Sequence, residues 1–92
     1  MKLFIDTTSN TKTIVCLGDQ IAEKDSRLWH SQAVLPMIEQ LLSDQKMKLT
    51  DLTEIEVKTG EGSYTGIRVG VAIAQALGLA LKVPVTLTSP IL

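Results

Sequence analysis

The sequence predicts one α/β domain in which five strands and two helices follow the order β-β-β-α-β-α-β. Runs of β-branched and aromatic residues, separated by turn residues, fill the first 29 positions. From residue 31 apolar residues recur at helical spacing, and a strand-like segment follows each of two helical segments. With 92 residues, 45% hydrophobic and 3% aromatic, the chain can build a single modest core.

The first three strands are predicted at residues 2–8, 12–17 and 20–29. Ser9-Asn10 and Gly18-Asp19 supply the turns between them. The third segment is the most polar of the three, and charged side chains are typical of a strand at the edge of a sheet. We therefore expect an antiparallel meander that begins the domain.

The first helix is predicted from Ser31, a suitable N-cap, to about Met47. Pro36 is expected near its first turn, where proline is tolerated. One broad apolar stripe on this helix comprises Val34, Leu35, Met37, Ile38, Leu41 and Leu42.

The last two strands are predicted at residues 54–60 and 83–88, and in both of them apolar and polar residues alternate. A β-α-β connection crosses over right-handed and makes parallel neighbours. A parallel strand that is covered by helices on both faces is usually apolar throughout. We therefore expect both helices on one face of the sheet, with the other face exposed to solvent or covered by another protein.

The second helix, residues 66–82, is apolar around most of its circumference. Arg68, Gln75 and Lys82 are seven residues apart and share one line, which leaves an apolar arc of roughly 280° against the ~100° that docks a surface helix. These polar residues also interrupt the run and argue against a membrane span. The arc predicts an exposed apolar flank, and such a flank indicates an interface.

Which flank of this helix faces outward stays open. If Val69, Ile73 and Leu77 face the sheet, one flank contains Ile67, Val71, Ala74 and Gly78, and the other contains Ala72, Ala76 and Leu79. The small residues at spacing of four allow another helix to approach closely. The alternative is that they only seat the helix on its own sheet.

The glycine-rich loop at Gly60 to Gly66 precedes the second helix and could bind an anion at the helix N-terminus. Its spacing, Gly60-x-Gly62-x-x-x-Gly66, differs from the dinucleotide-binding fingerprint, and no Gly-Lys-Ser/Thr is present to make a P-loop. Ser63 and Thr65 can instead cap the helix. A small phosphate- or nucleotide-binding enzyme that uses this loop is the alternative function from another class.

Charge and composition give little sign of other chemistry. The net charge is −1 and the basic residues are scattered, which argues against an autonomous nucleic-acid binder. His30 and Cys16 are the only residues of their types and make no metal cluster, so no metal is predicted. Asp6 is interpreted as a turn residue, with a catalytic role as the alternative. The lone cysteine and the absence of an export-signal pattern predict a cytoplasmic protein.

Three segments, "FIDTTSN", "HSQAVLPMIEQLLSD" and "LTDLTEIEVKTGEGSYTGIRVGVAIAQALGLALKVPVTLTSPIL", resemble in order and spacing the amino-terminal half of the bacterial TsaB (YeaZ) family. His30-Ser31 and Leu35-Pro36 resemble the first-helix signature of that family. Its most specific motif is matched by Gly60, Gly62, Ser63, Tyr64, Thr65, Gly66, Arg68 and Gly70.

The resemblance implies an actin-like ATPase/sugar-kinase (RNase H-like) fold with sheet order 3-2-1-4-5. It also implies a non-catalytic subunit that serves the synthesis of threonylcarbamoyladenosine in tRNA. Such a subunit binds the metal-binding catalytic subunit TsaD through its two helices, and an ATPase subunit, TsaE, joins them. No catalytic residue and no cofactor are then expected in this chain, because ATP and metal belong to the partner subunits, and tRNA is reached only through the complex.

On this basis the predicted interface comprises Leu35, Met37, Ile38, Leu42, Ile67, Arg68, Val71, Ala74, Gln75 and Gly78. Two departures from the family pattern stand out. Glu61 replaces a loop proline, and Asp6-Thr7-Thr8 lacks the glycine that nucleotide-binding relatives place after the aspartate, which argues against direct ATP binding. Residues 1–92 are expected to form one domain without the family's second domain, and a homodimer is the alternative to the TsaD complex.

Overall fold

A computed structural model describes residues 1–9, 11–25, 30–60 and 62–88, and the side chains of all of these except residues 30–32. It confirms the predicted order of elements. The strands are β1 (Lys2–Asp6), β2 (Lys12–Leu17), β3 (Gln20–Asp25), β4 (Glu54–Lys58) and β5 (Val85–Thr88), and the helices are α1 (His30–Asp44) and α2 (Tyr64–Leu81). A short 3-10 turn, Leu49–Asp51, precedes β4. The predicted end of the third strand, residues 26–29, lies outside the described residues.

The five strands form one mixed sheet in the order β3-β2-β1-β4-β5, as the resemblance implies. The first three strands pair antiparallel, and β4 and β5 add to the other edge of β1 in parallel. In this register Ile5 lies between Val15 and Val57. The three side chains share one face because directly paired residues point to the same side of a sheet.

That face forms the core, and both helices cover it. Leu3, Ile5, Val15, Ile55 and Val57 are fully buried there. They form one cluster with the apolar stripe of α1 except for Leu35, which is 45% exposed contrary to its predicted place in the stripe. The prediction that both helices lie mainly on one face is therefore confirmed.

The opposite face of the sheet bears no helix among the described residues. Phe4, Ile14 and Cys16 are half-buried on it, and Ile21 is 70% exposed. Ion pairs border these apolar side chains, among them Lys12 with Glu23 at 2.8 Å between the ammonium and carboxylate groups. Half-burial raises the pKa of the Cys16 thiol, with a further contribution from the charge of Asp6.

Helix α1 packs its apolar stripe on β2 through Val34, Ile38, Leu41 and Leu42, which are all buried. The helix begins at His30, one residue before the predicted cap Ser31. Pro36 lies in the second turn, not the first, and faces solvent. The helix therefore lacks one backbone hydrogen bond near its middle, because proline has no N–H to donate.

Helix α2 packs on the sheet through its smallest residues, contrary to the expectation for Val69, Ile73 and Leu77. Those three side chains are only half-buried, and Ile73 and Leu77 pack against the border of the core. The buried residues of the helix are Gly66, Gly70, Ala74 and Gly78. This placement has a steric cause. A Cβ atom added at Gly70 would meet the Thr7 hydroxyl oxygen, and one at Gly78 would meet a methyl group of Val85, so larger residues on this line would push the helix off the sheet.

By length and composition, the 18 residues of α2 could also cross a membrane. The same composition is found in core helices of soluble domains, and here one line of α2 is packed against β1, β4 and β5. The polar line of Arg68, Gln75 and Lys82 faces solvent. The packing therefore agrees with a helix that rests on its sheet and presents its other side to the surroundings.

Candidate partner interface and glycine loop

The glycine loop is fastened to the turn that follows β1. The Ser63 amide donates to the Thr8 carbonyl oxygen at 2.6 Å, and the Thr7 hydroxyl donates to the Gly66 carbonyl oxygen at 2.5 Å. Gly62 has φ +136°, and a Cβ atom there would lie 2.5 Å from the Thr8 carbonyl oxygen. Glycine is required at position 62 because both the backbone angle and the close approach exclude a side chain.

The loop also starts α2 by a side-chain cap, as predicted for Ser63. The Ser63 hydroxyl accepts from the Gly66 amide at 3.2 Å, and the Ser63 carbonyl accepts the helical hydrogen bond of the Ile67 amide at 2.9 Å. The amides of Ser63 and Gly66 are thus engaged within the chain. The loop therefore positions the helix. Its two engaged amides are not available as hydrogen-bond donors to an anion.

Asp6 is used in the same way by its own turn. Its carboxylate accepts from the Thr8 amide at 2.9 Å and from the Thr8 hydroxyl at 2.6 Å. The Lys58 ammonium group lies 3.9 Å from the other carboxylate oxygen. These contacts confirm that Asp6 stabilises a turn.

Half of the predicted interface residues lie inside the domain. Met37, Ile38 and Leu42 belong to the core between α1 and the sheet. Ala74 and Gly78 belong to the line on which α2 rests. These five residues are therefore not available at the surface of the folded chain, because they already pack within the domain.

The other five predicted interface residues reach the surface, and four of them lie together. Ile67, Arg68, Val71 and Gln75 line an open hollow of about 310 Å³ on α2 with Ala72. Leu35 stands apart on α1 and is 45% exposed. The Arg68 guanidinium lies over the ring of Tyr64, 5.5 Å from its centre, which is a cation–π contact that positions this charge beside the hollow.

The structure also shows which flank of α2 faces outward. We define the exposed α2 strip as Ala72, Ala76, Leu79 and Ala80, all of which are exposed. Leu79 is 83% exposed, more than any other large apolar residue among the described ones. The predicted interface does not include this strip, although Ala72, Ala76 and Leu79 form one of the two flanks between which the sequence pattern does not decide. A prediction that places the glycines of α2, and not its valines and leucines, against the sheet identifies this strip as the exposed side.

Other chemistry among the described residues is sparse. The part of the chain that the structure describes contains no group of three or more histidine, cysteine, aspartate or glutamate side chains that could hold a metal ion. The side chains of His30 and Ser31, and the whole of Trp29 and Glu61, lie outside the described residues. A second open hollow of about 410 Å³ lies between β3 and α1, lined by Ile21, Ala22, Met37, Leu41 and neighbouring polar residues.

Comparison with known proteins places this geometry in a family. The model of the family described as "TsaD: tRNA N6-adenosine threonylcarbamoyltransferase" matches residues 20–89. The tRNA threonylcarbamoyladenosine biosynthesis protein TsaB of Bacillus subtilis (strain 168) is 40% identical over 91 residues, 95% of this chain and 40% of that protein. TsaB of Escherichia coli (strain K12) is 33% identical over 85 residues, 89% of this chain and 37% of that protein.

A solved structure agrees with the sequence comparison. YeaZ from Pseudomonas aeruginosa superposes with a TM-score of 0.83 at 26% identity, covering 96% of this chain and 43% of that chain. This chain thus spans about two fifths of the length of the curated relatives that it matches. Its topology is that of the YeaZ structure and of the actin-like ATPase/sugar-kinase type of fold. The chain therefore belongs to the TsaB (YeaZ) family, and it matches the family model described as "TsaD: tRNA N6-adenosine threonylcarbamoyltransferase".

Proposed function

We propose that this chain is a non-catalytic, cytoplasmic subunit that binds and supports a TsaD-like catalytic subunit in the modification of tRNA to N6-threonylcarbamoyladenosine. The observation that supports a docking role is the exposed α2 strip on the outer side of the helical layer. The relatives named TsaB are described as biosynthesis proteins of this same modification. In this proposal ATP and metal are bound by the partner subunits, a TsaE-like ATPase joins the complex, and tRNA is reached through it.

The exposed α2 strip has the chemistry of a helix-packing surface. Complete burial of a leucine side chain contributes about 1.5–3 kcal/mol, and Leu79 retains nearly all of that potential in the free domain. Ala72, Ala76 and Ala80 carry only a methyl group each, so a partner helix can approach closely and gain dispersion contacts along its length. Arg68 and Gln75 lie at the border of the strip, where polar residues surround the apolar centre of an interface.

The non-catalytic part of the proposal rests on how the described polar groups are used. The carboxylate of Asp6 holds its own turn, and the Ser63 hydroxyl caps α2. Groups that already hydrogen-bond the backbone are poor candidates for proton transfer or phosphate binding, because breaking those bonds would lower the stability of the fold. These residues therefore support the partner surface by positioning α2.

Association with a TsaD homologue from the same organism tests the docking role. Leu79→Glu should weaken the complex at least about tenfold, equivalent to about 1.4 kcal/mol, since it places a charge in the centre of the apolar strip. The matched control is Ile21→Glu, which changes a comparably exposed apolar residue, 70% exposed against 83% for Leu79, on the opposite face of the sheet. Sedimentation and titration calorimetry provide the affinities, and circular dichroism verifies the fold. Equal affinity of both variants and the wild type would contradict the proposed surface.

The non-catalytic role is tested separately. Titration calorimetry of the isolated chain with ATP, ADP and inorganic phosphate should show no stoichiometric binding. An enzyme that used the loop at Gly60 to Gly66 should bind at least one of them without a partner. Saturable binding that is lost in Ser63→Ala would therefore contradict the proposal and favour the phosphate-binding enzyme.

A further inference from the structure

The outer edge of β3 carries backbone groups that are free to pair with another strand. This strand forms one edge of the sheet and is joined to β2 by the two-residue turn Gly18-Asp19, across which Leu17 pairs with Gln20. The residues that flank a two-residue turn hydrogen-bond to each other, and such pairs alternate along an antiparallel ladder. The N–H and C=O groups of Ile21 and Glu23 therefore point away from β2. They have no partner among the described residues.

The hollow of about 410 Å³ between β3 and α1 lies directly beside this edge. Its floor is apolar and consists of Ala22, Met37 and Leu41. Ala22 points to the helix side of the sheet because it pairs with the fully buried Val15. Ile21 also lines the hollow although its side chain points to the other side, so the free backbone edge borders the hollow. A strand added to β3 could therefore place a large apolar side chain in the hollow, opposite Ala22.

Charges of opposite sign border the two ends of the hollow. Lys24 lines one end and points to the helix side of β3. Asp44 lines the other end near Gln20, because the neighbouring Gln45 side chain donates to the Leu17 carbonyl oxygen at 3.0 Å, beside the turn. Four residues separate the two ends of the strand, which corresponds to about 13 Å. Neither of the two charges forms an ion pair within the part of the chain that the structure describes.

We propose that the β3 edge binds an extended segment of another protein, which adds to the sheet antiparallel to β3. This segment carries an acidic, a large apolar and a basic residue at every second position, in this order. The acidic residue then faces Lys24, the apolar residue fills the hollow, and the basic residue faces Asp44. The two intervening residues exchange backbone hydrogen bonds with Ile21 and Glu23. In strand addition of this kind the main chain provides affinity, and pockets for alternate side chains provide specificity.

The charges select which segment the edge accepts. Charged side chains commonly prevent unspecific pairing at a sheet edge, and here a segment with the opposite order brings like charges together. A second copy of this chain is a poorer occupant, because β3 carries only Gln20, Ala22 and Lys24 on its helix side and none of them is large and apolar. The inference does not depend on the proposed function, since α2 packs on β1, β4 and β5, away from this edge.

The experiment uses the whole chain, labelled with nitrogen-15, and the synthetic peptide acetyl-Ser-Glu-Thr-Leu-Val-Lys-Ser-amide. Amide chemical shifts along β3 measure the dissociation constant, and hydrogen exchange measures the protection of the Ile21 and Glu23 amides. We expect saturable binding with a dissociation constant of about 0.1–1 mM, and slower exchange of these two amides. A control peptide in which the glutamate and the lysine are exchanged should bind at least about tenfold more weakly, because it brings like charges together.

Two variants of the chain test the charges and the backbone edge separately. Lys24→Glu/Asp44→Lys should reverse the preference between the two peptides, and both side chains are exposed, so the fold is preserved. Glu23→Pro removes an outward N–H group, and proline is accepted at an edge position whose N–H faces solvent. It should bind the first peptide at least about tenfold more weakly than Glu23→Ala, the matched control that also loses the ion pair with Lys12. Circular dichroism verifies the fold of each variant.

Three results would overturn the proposal: no saturable binding of the first peptide, equal binding of both peptides, or an unchanged preference in Lys24→Glu/Asp44→Lys. Protection of the Ile21 and Glu23 amides that rises with the concentration of the chain alone would also overturn it, because the edge then pairs with a second copy. If Glu23→Pro does not fold, the charge-exchanged variant decides, since a reversed preference requires both charges to face the peptide.

Discussion

The hydroxyl of Thr7 donates a buried hydrogen bond to the carbonyl oxygen of Gly66 at 2.5 Å, and so joins the end of β1 to the first turn of α2. The two residues are 59 positions apart in the chain. Four residues further along the helix, Gly70 leaves just enough room for the same hydroxyl group. Thr7 therefore controls both the position of α2 and its distance from the sheet.

Replacing Thr7 by valine should destabilise the fold by about 1–3 kcal/mol, because the buried Gly66 carbonyl loses a hydrogen-bond donor while the shape of the side chain is preserved. Urea unfolding followed by circular dichroism measures the free energy. Thr7→Ser keeps the donor and should be less affected. The exposed Thr86→Val on β5 serves as a surface control, and an equal loss in both valine variants would contradict the role of the hydrogen bond.

Gly70→Ala should also destabilise the fold, by about 1–3 kcal/mol, although alanine normally favours a helix by about 1 kcal/mol over glycine. The added methyl group would meet the Thr7 hydroxyl and lie 3.2 Å from a methyl group of Val57. Thr7→Ala removes the first of these contacts. In a double-mutant cycle, the cost of Gly70→Ala should therefore shrink in the Thr7→Ala background. A constant cost in both backgrounds would show that the two residues do not interact.

The pair Lys2 and Glu56 on the open face of the sheet should make stability depend on pH. The hydrogen bond from Lys2, followed by that from Thr88, holds the pKa of Glu56 below its ordinary value of 4.5. A carboxylate with a lowered pKa stabilises the fold above its ordinary pKa, and this contribution is lost as pH falls through the folded value.

Urea unfolding between about pH 3 and pH 7 tests this expectation. The stability of the wild type should fall more steeply on acidification than that of Glu56→Gln, which has no charge to lose. Glu39→Gln removes an exposed carboxylate on α1 as a control for net charge. The proposed origin is contradicted if the wild type and Glu56→Gln lose stability in parallel.

Pro36→Ala should raise the free energy of unfolding by about 1–3 kcal/mol, because alanine restores the missing backbone donor within α1 and suits a helix interior better than proline. The side chain is exposed, so little packing is lost. Thermal and urea unfolding provide the measurement. Ser43→Ala on the exposed side of the same helix is the matched control and should gain no more than about 0.5 kcal/mol.

The order of strands and helices could be predicted because it depends on local patterns: alternation in residues 54–58 and helical spacing in α1 both repeat within a few residues. The face of α2 that packs on the sheet could not be predicted in the same way. Hydrophobicity favours Val69, Ile73 and Leu77 as the buried line, whereas the choice of Gly70 and Gly78 depends on Thr7 and Val85, which are distant in sequence. For the same reason Ala74, predicted at the interface, lies in the core.

The close packing of α2 on the sheet would affect how quickly any partner binds to its outward side. Because glycine contacts and a buried hydrogen bond hold the helix from its first turn onward, the outward side needs no folding step before an encounter. Little conformational entropy is then lost at docking, and the rate of association is set by diffusion and orientation. Gly70 and Gly78, which lie against the sheet, thus keep the outward side of α2 in position before any encounter.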